Sequence, residues 1–198
     1  MTNLPVEKNK EYEVKIIDNG VDGEGIARID DFTVFVKGAI KGELCKILIV
    51  KVNKTYAFGK LMQVLKKSEY RIEPDCTTYK RCGGCSLRHI KYNETLNIKR
   101  NMVQNLANKS LNHGVEVKDV IGMDNPFNYR NKLQYPVGKN KIGEPVMGVF
   151  ANRTHEIVPV ENCLIQNIEA EKVAKEIFNF IKENNISVYD EESRNRNY

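Results

Sequence analysis

At 198 residues the chain can build one large domain or two small ones, each with its own core. Apolar residues at 41% and charged residues at 29% exclude a disordered or fibrous chain, and no apolar run nears the ~20 residues that cross a bilayer, so no membrane partner is expected. The net charge of +5 is uneven: 32–67 hold eight basic residues against one acidic and 80–110 seven against one, while 1–31 and 154–198 are acidic. Two basic blocks between acidic ends predict a face for a polyanion. The first residues carry no secretory pattern, so the five cysteines are expected in a reducing cytoplasm, where structural disulfides are rare.

From Tyr12 to Leu65 the pattern is β. Residues 12–18 alternate and run into the glycine cluster 19–25. Residues 26–29 are short and turn at Asp30-Asp31. Residues 32–36 are β-branched and aromatic, 38–42 turn, and 44–52 and 56–65 complete five strands. Five short strands with glycine-rich corners predict a small closed barrel of OB type, whose closure removes exposed sheet edges. A first domain is therefore expected over 1–67 and a second over 68–198.

Residues 66–75 read as a polar linker. Asn93 is predicted to cap a helix over 93–110, with Leu96, Lys99, Val103 and Leu106 on one face. Ile98 and Met102 widen that stripe beyond what one core needs, so self-association through 93–109, or a mobile helix, is expected. Short β pieces follow at 115–117, 132–135, 145–150 and 155–160, then a helix over 168–182 with Ala170, Ala174, Ile177 and Ile181 together. The end, 190–198, is polar. The predicted class is α+β: a five-stranded barrel followed by a small mixed α/β domain.

Cys76, Cys82 and Cys85 form C-x5-C-G-G-C, and Cys163 stands far downstream. Three clustered thiols and a distant fourth suit a metal site joining two segments. Soft thiolates favour an iron–sulfur cluster or zinc. Gly83 and Gly84 allow a tight turn with amides aimed at the sulfides of a cluster. Zinc remains open, as a site of three cysteines and His89 built around the short-spaced pair Cys82 and Cys85, as does a site with no metal and Cys163 in a core. Cys45, mid-strand among apolar neighbours, reads as a buried hydrophobe. His113 and His155 read as structural.

The cysteine pattern resembles the cluster motif of the RNA uracil-5-methyltransferases, especially the bacterial enzymes acting on 23S ribosomal RNA. The turn Asp22-Gly-Glu-Gly-Ile-Ala and the corner Val36-Lys-Gly-Ala-Ile-Lys-Gly-Glu43 are similar to their N-terminal TRAM domain. Tyr129-Arg-Asn-Lys132 and the segment 155–163 resemble further family segments. The resemblance implies a 4Fe-4S cluster on Cys76, Cys82, Cys85 and Cys163, S-adenosylmethionine as methyl donor, and an RNA uracil, ribosomal RNA first, as substrate. In that family a cysteine adds to carbon 6 of uracil and a base removes the carbon 5 proton. No glycine-rich cofactor turn and no nucleophile motif is found here. The chain is therefore expected to be an N-terminal portion without the methyltransferase domain, inactive alone.

On the barrel, Lys37, Lys41, Lys51, Lys54, Tyr56 and Lys60 interleave cations with an aromatic, a pattern suited to phosphates and stacked bases. Arg88, Arg130 and Lys132 are candidates to extend that track. The alternative reading is a stand-alone iron–sulfur module that binds RNA or senses redox state. Radical methylthiotransferases, which also carry TRAM domains, are disfavoured because their clusters use C-x3-C-x2-C.

Overall fold

The computed structural model describes residues 4–111, 114–132, 134–152 and 154–188. The chain forms two compact units, Met1–Glu73 with Ser86–Gly122, and Pro74–Cys85 with Met123–Tyr198. They interleave along the sequence, a different division from the single boundary expected at residue 67.

In the first unit, β1 (Glu11–Lys15) pairs with β5 (Leu44–Val52), and just beyond it β2 (Asp18–Asn19) pairs with β3 (Gly25–Ile29). With β4 (Phe32–Lys37) and β6 (Tyr56–Lys66), the sheet order is β1-β5-β6-β4-β3-β2. The two edges of this sheet are thus consecutive pieces of one strand. Only Ile16 and Ile17 separate them, so the sheet must curl until its edges meet. Along that seam Ile16 N–H donates to the Glu43 carbonyl at 2.9 Å and Ile17 N–H to the Ile26 carbonyl at 2.8 Å. Counted by chain, the barrel has the five strands expected. The β4–β6 pair is parallel and the other pairs antiparallel, as a partly closed Greek-key barrel requires.

Alternation fills the barrel. Cys45, Ile47 and Ile49 of β5 point inward with Val34, Val36 and Ala57, all fully buried. Asp30 and Asp31 both take positive φ, 46° and 62°, which a two-residue turn between twisted strands needs. Gly25 lies at the seam, where a Cβ would meet Ile16 Cγ2 and the Ala39 Cβ at 2.9 Å. Burial pushes the Cys45 thiol up to about 11, with the Glu43 charge adding to it, so this cysteine stays a protonated core residue.

The next segment is clasped to the barrel by an ion pair. Glu43 is fully buried. Its carboxylate accepts from Arg71 Nε at 2.5 Å and Nη2 at 2.7 Å, from Ile40 N–H at 2.9 Å and from Ser68 N–H at 3.3 Å. Arg71 Nη2 also donates to the Gly38 carbonyl at 2.7 Å. Beyond it, His89 is buried beside Arg71. Burial, then the Arg71 charge, pulls its imidazole down to about 4, against a smaller raising effect of Glu43. His89 is therefore a neutral core histidine of the first unit.

Helix α1 (Tyr92–Ser110) docks through Ile98, which packs with Ile40 and Ile90, flanked by Leu87 and Met102. Burying Ile98 contributes roughly 1.5–3 kcal/mol. The stripe read from the sequence is rotated: Ile98 and Met102 face inward, while Val103 and Leu106 are 53% and 56% exposed. The N-cap is Lys91 without a side-chain bond, not Asn93. Residues 115–117 are not a strand. Side chains of α1 take the bonds a ladder would give: Gln104 Nε2 donates to the Val115 carbonyl at 2.7 Å, Gln104 Oε1 accepts from Val117 N–H at 2.8 Å, and Arg100 Nε donates to the Val117 carbonyl at 2.8 Å.

The second unit is a meander of β7 (Val137–Lys139), β8 (Pro145–Phe150) and β9 (Ile157–Pro159), followed by α2 (Ile168–Glu183). Among the described residues of 132–135 no strand forms; the first strand of this unit is β7. Asn167 caps α2, its Oδ1 accepting from Glu169 N–H at 3.0 Å and Ala170 N–H at 3.1 Å. Ile177 points outward, 56% exposed, while Glu171 turns inward at 6%. His155 is exposed, its ring 5.4 Å from that of Phe150. His113 and residues 190–198 lie outside the described residues. Among the described residues, no helix is long and apolar enough to cross a membrane.

Candidate nucleic-acid surface and cysteine loop

With Val34 and Val36 inside the barrel, Phe35 between them must face outward, and β6 does the same with Tyr56 and Phe58 around Ala57. Phe35 stands opposite Phe58 in the β4–β6 register, and Thr33 opposite Tyr56. The three rings form one cluster, with centroids 5.7 Å (Phe35–Tyr56), 5.9 Å (Phe35–Phe58) and 5.5 Å (Tyr56–Phe58) apart. Each ring is half-buried, so part of the cluster remains open to solvent. Exposed cations border it. Lys37 and Lys60 are register partners one step along the strands, and Lys51 stands opposite Phe58 across β5–β6. An aromatic cluster rimmed by lysines can hold bases by stacking on single rings and phosphates by charge.

The cysteine loop belongs to the second unit. Its backbone turns tightly: Tyr79 N–H donates to the Cys76 carbonyl at 3.2 Å and Cys82 N–H to the Thr78 carbonyl at 2.8 Å. Gly84 N–H donates to Cys82 Sγ at 3.2 Å. The loop is laced to the end of β8 by Gly83 N–H on the Phe150 carbonyl at 3.3 Å, and to the residue before β9 by Arg81 to Glu156 at 2.7 Å. Cys163 is positioned by α2: its amide donates to both carboxylate oxygens of Glu171 at 3.2 Å. The Tyr135 hydroxyl is pushed up by burial, then by the Glu171 carboxylate and by the Cys163 and Cys82 sulfurs.

None of the four cysteines Cys76, Cys82, Cys85 and Cys163 is in a disulfide, and all four are half-buried and in this unit. Their softness fits an iron–sulfur cluster. Among the described residues, no three His, Cys, Asp or Glu side chains converge tightly enough to hold a metal ion, so the donor set is present without closed coordination.

Residues 5–62 match the TRAM domain. Over 195 residues, 98% of its length, the chain is 44% identical to an uncharacterized RNA methyltransferase of Clostridium tetani. It is 46% identical over 194 residues to one of Clostridium acetobutylicum and 37% identical over 188 residues to one of Staphylococcus aureus. The chain is thus homologous to RNA methyltransferases, and it spans 42% of the length of each of these relatives. The crystal structure of Pyrococcus abyssi tRNA (uracil-54, C5)-methyltransferase in complex with S-adenosyl-L-homocysteine is similar over 92% of this chain and 40% of its own. The TM-score is 0.64 at 20% identity, a likeness of fold.

In the TRAM region, five of the six predicted residues fall on or beside the aromatic patch. Lys37, Lys51, Tyr56 and Lys60 are joined to it by strand register, and Lys54 stands in the turn leading into β6. Lys41 does not join by register; it is paired with Asp18 at 3.4 Å. Arg88 is half-buried in the first unit. Arg130 and Lys132 belong to the second unit, where Arg130 helps to hold the cysteine loop. Its Nη2 donates to the Gly84 carbonyl at 3.2 Å, and its backbone bonds Ile165 and Asn167. Phe35 and Phe58 were missed by sequence reasoning, although the in–out alternation of β4 and β6 carries the signal. Glu171 as the anchor of Cys163 has no such signal.

Proposed function

We propose that these residues are the RNA-binding and iron–sulfur-bearing stretch of a cytoplasmic, S-adenosylmethionine-dependent RNA uracil-5-methyltransferase acting on ribosomal RNA. The observation that carries the reading is the similarity to RNA methyltransferases along 98% of the chain. The aromatic and basic TRAM face supports single-stranded RNA as ligand. Cys76, Cys82, Cys85 and Cys163 hold the 4Fe-4S cluster in this reading, supported by their common unit and by the Gly84 amide on the Cys82 sulfur. A cluster bound there would tie the loop 76–85 to the segment around Cys163. The methyl-donor site and the nucleophile are assigned to the length these relatives have beyond the matched stretch.

Deleting the gene and mapping 5-methyluridine by mass spectrometry tests the activity. The expected result is loss of 5-methyluridine at one position of ribosomal RNA. Loss from transfer RNA alone would replace the substrate, and an unchanged map of both RNAs would overturn the activity. A second expected result concerns α1. Val103 and Leu106 leave an apolar strip open, and we assign a second copy of the chain as its partner. Sedimentation of the 198-residue chain should show concentration-dependent dimers that Leu106→Gln weakens; a monomer at every concentration would refute the contact.

A further inference from the structure

A cavity of about 710 Å³ opens in the second unit beside the cysteine loop. Its volume falls in the ~300–1,000 Å³ range of small-ligand sites. Among the described residues no cysteine and no carboxylate lines it, so it is distinct from the thiol donors and unsuited to a cation. Arg130 and Lys132 give it positive charge, and Gln134 and Gln166 add amides. Phe150 supplies a flat ring, 43% exposed and backed by the His155 ring at 5.4 Å. Gln166 decides the reading. It is 4% exposed, and among the described residues its buried side-chain oxygen has no hydrogen-bond partner. A buried acceptor left unpaired costs roughly 1–3 kcal/mol unless a ligand or water satisfies it.

The ligand must therefore carry an anion for Arg130 and Lys132, a planar face for Phe150 and an N–H for Gln166. A nucleotide meets all three demands. Its base edge is free for Gln166 only when it is not paired with another base. We infer that this cavity receives one unpaired RNA nucleotide, its phosphate toward Arg130 and Lys132, its base against Phe150 and a base N–H donated to Gln166 Oε1. The inference rests on the RNA-binding reading above and adds to it a second contact, remote in sequence from the TRAM region.

Fluorescence anisotropy of the full chain with a fluorescein-labelled single-stranded RNA of about ten nucleotides tests it, a length within the ~4–16 nucleotides that one OB fold covers. Gln166→Leu removes the acceptor and should weaken binding about tenfold without lowering the Tm. Phe150→Leu, which removes the flat face at a half-exposed position, should weaken it by a similar factor and serves if Gln166→Leu fails to fold. An abasic oligomer of the same length should bind wild type and Gln166→Leu alike. Wild-type RNA binding left unchanged by these variants would overturn the cavity assignment alone. Failure of wild type to bind RNA would overturn the RNA-binding reading, and the inference with it.

Discussion

Replacing Glu43 with alanine is expected to destabilise the first unit by about 3–5 kcal/mol, the range for removing one partner of a buried ion pair. The Arg71 guanidinium, with only 14% of its side chain exposed, would lose its counter-charge, and the amides of Ile40 and Ser68 their acceptor. Urea unfolding reads the loss. Changing both partners to methionine should cost far less, because no unpaired charge then remains. The pair also sets an acid limit. Burial alone would raise the Glu43 carboxyl; hydrogen bonds from Arg71 and Ile40, the Arg71 charge and the Ser68 amide outweigh it and hold the group below its usual 4.5. A carboxyl lowered on folding stabilises fully above its unfolded value, and that contribution fades as pH falls through the lowered folded value. The pH-dependence below about 4.5 should therefore flatten in the double methionine variant. Glu43→Ala stability within about 1 kcal/mol of wild type would refute the clasp.

Replacing Cys163 with alanine should remove the cluster. Reconstituted without oxygen, the wild-type chain is expected to be brown with about four irons per molecule, and Cys163→Ala nearly colourless. Glu171→Ala, which frees the Cys163 amide without removing a thiol, should lower the iron content partway. About one zinc per chain with no visible absorption would replace the cluster by the zinc reading.

The barrel was legible because its signal is local. Inward and outward positions alternate along β4 and β5, and the Asp30-Asp31 turn declares itself in two residues. What escaped depends on partners distant in sequence. Nothing near Glu43 announces that Arg71 will reach it, 28 positions on. The α1 stripe is rotated from its expected face because the receiving patch, Ile40 with Ile90, comes from a barrel turn and from the segment before the helix. Residues 115–117 carry β-branched alternation, yet Gln104 and Arg100 satisfy their backbone where a strand would have. The interleaved units have the same origin: contacts that join 86–122 to the barrel leave no trace in either segment alone. In the candidate site, the lysine-and-tyrosine pattern falls largely on one face of the barrel, but it omitted two of the three rings there because phenylalanine in a strand reads as core.

The central claim is that the TRAM face binds single-stranded RNA, and equilibrium binding by the 198-residue chain tests it most directly. Wild type should bind a short single-stranded RNA, with log affinity falling against log salt by about 0.7 for each phosphate neutralised by Lys37, Lys51, Lys54 or Lys60. Phe58→Ala, taking away the ring that packs against both others, should cost about 1–3 kcal/mol of binding at every salt concentration, as loss of one stacked base does. No binding by wild type at low salt, or binding that Phe58→Ala leaves untouched, would contradict the account.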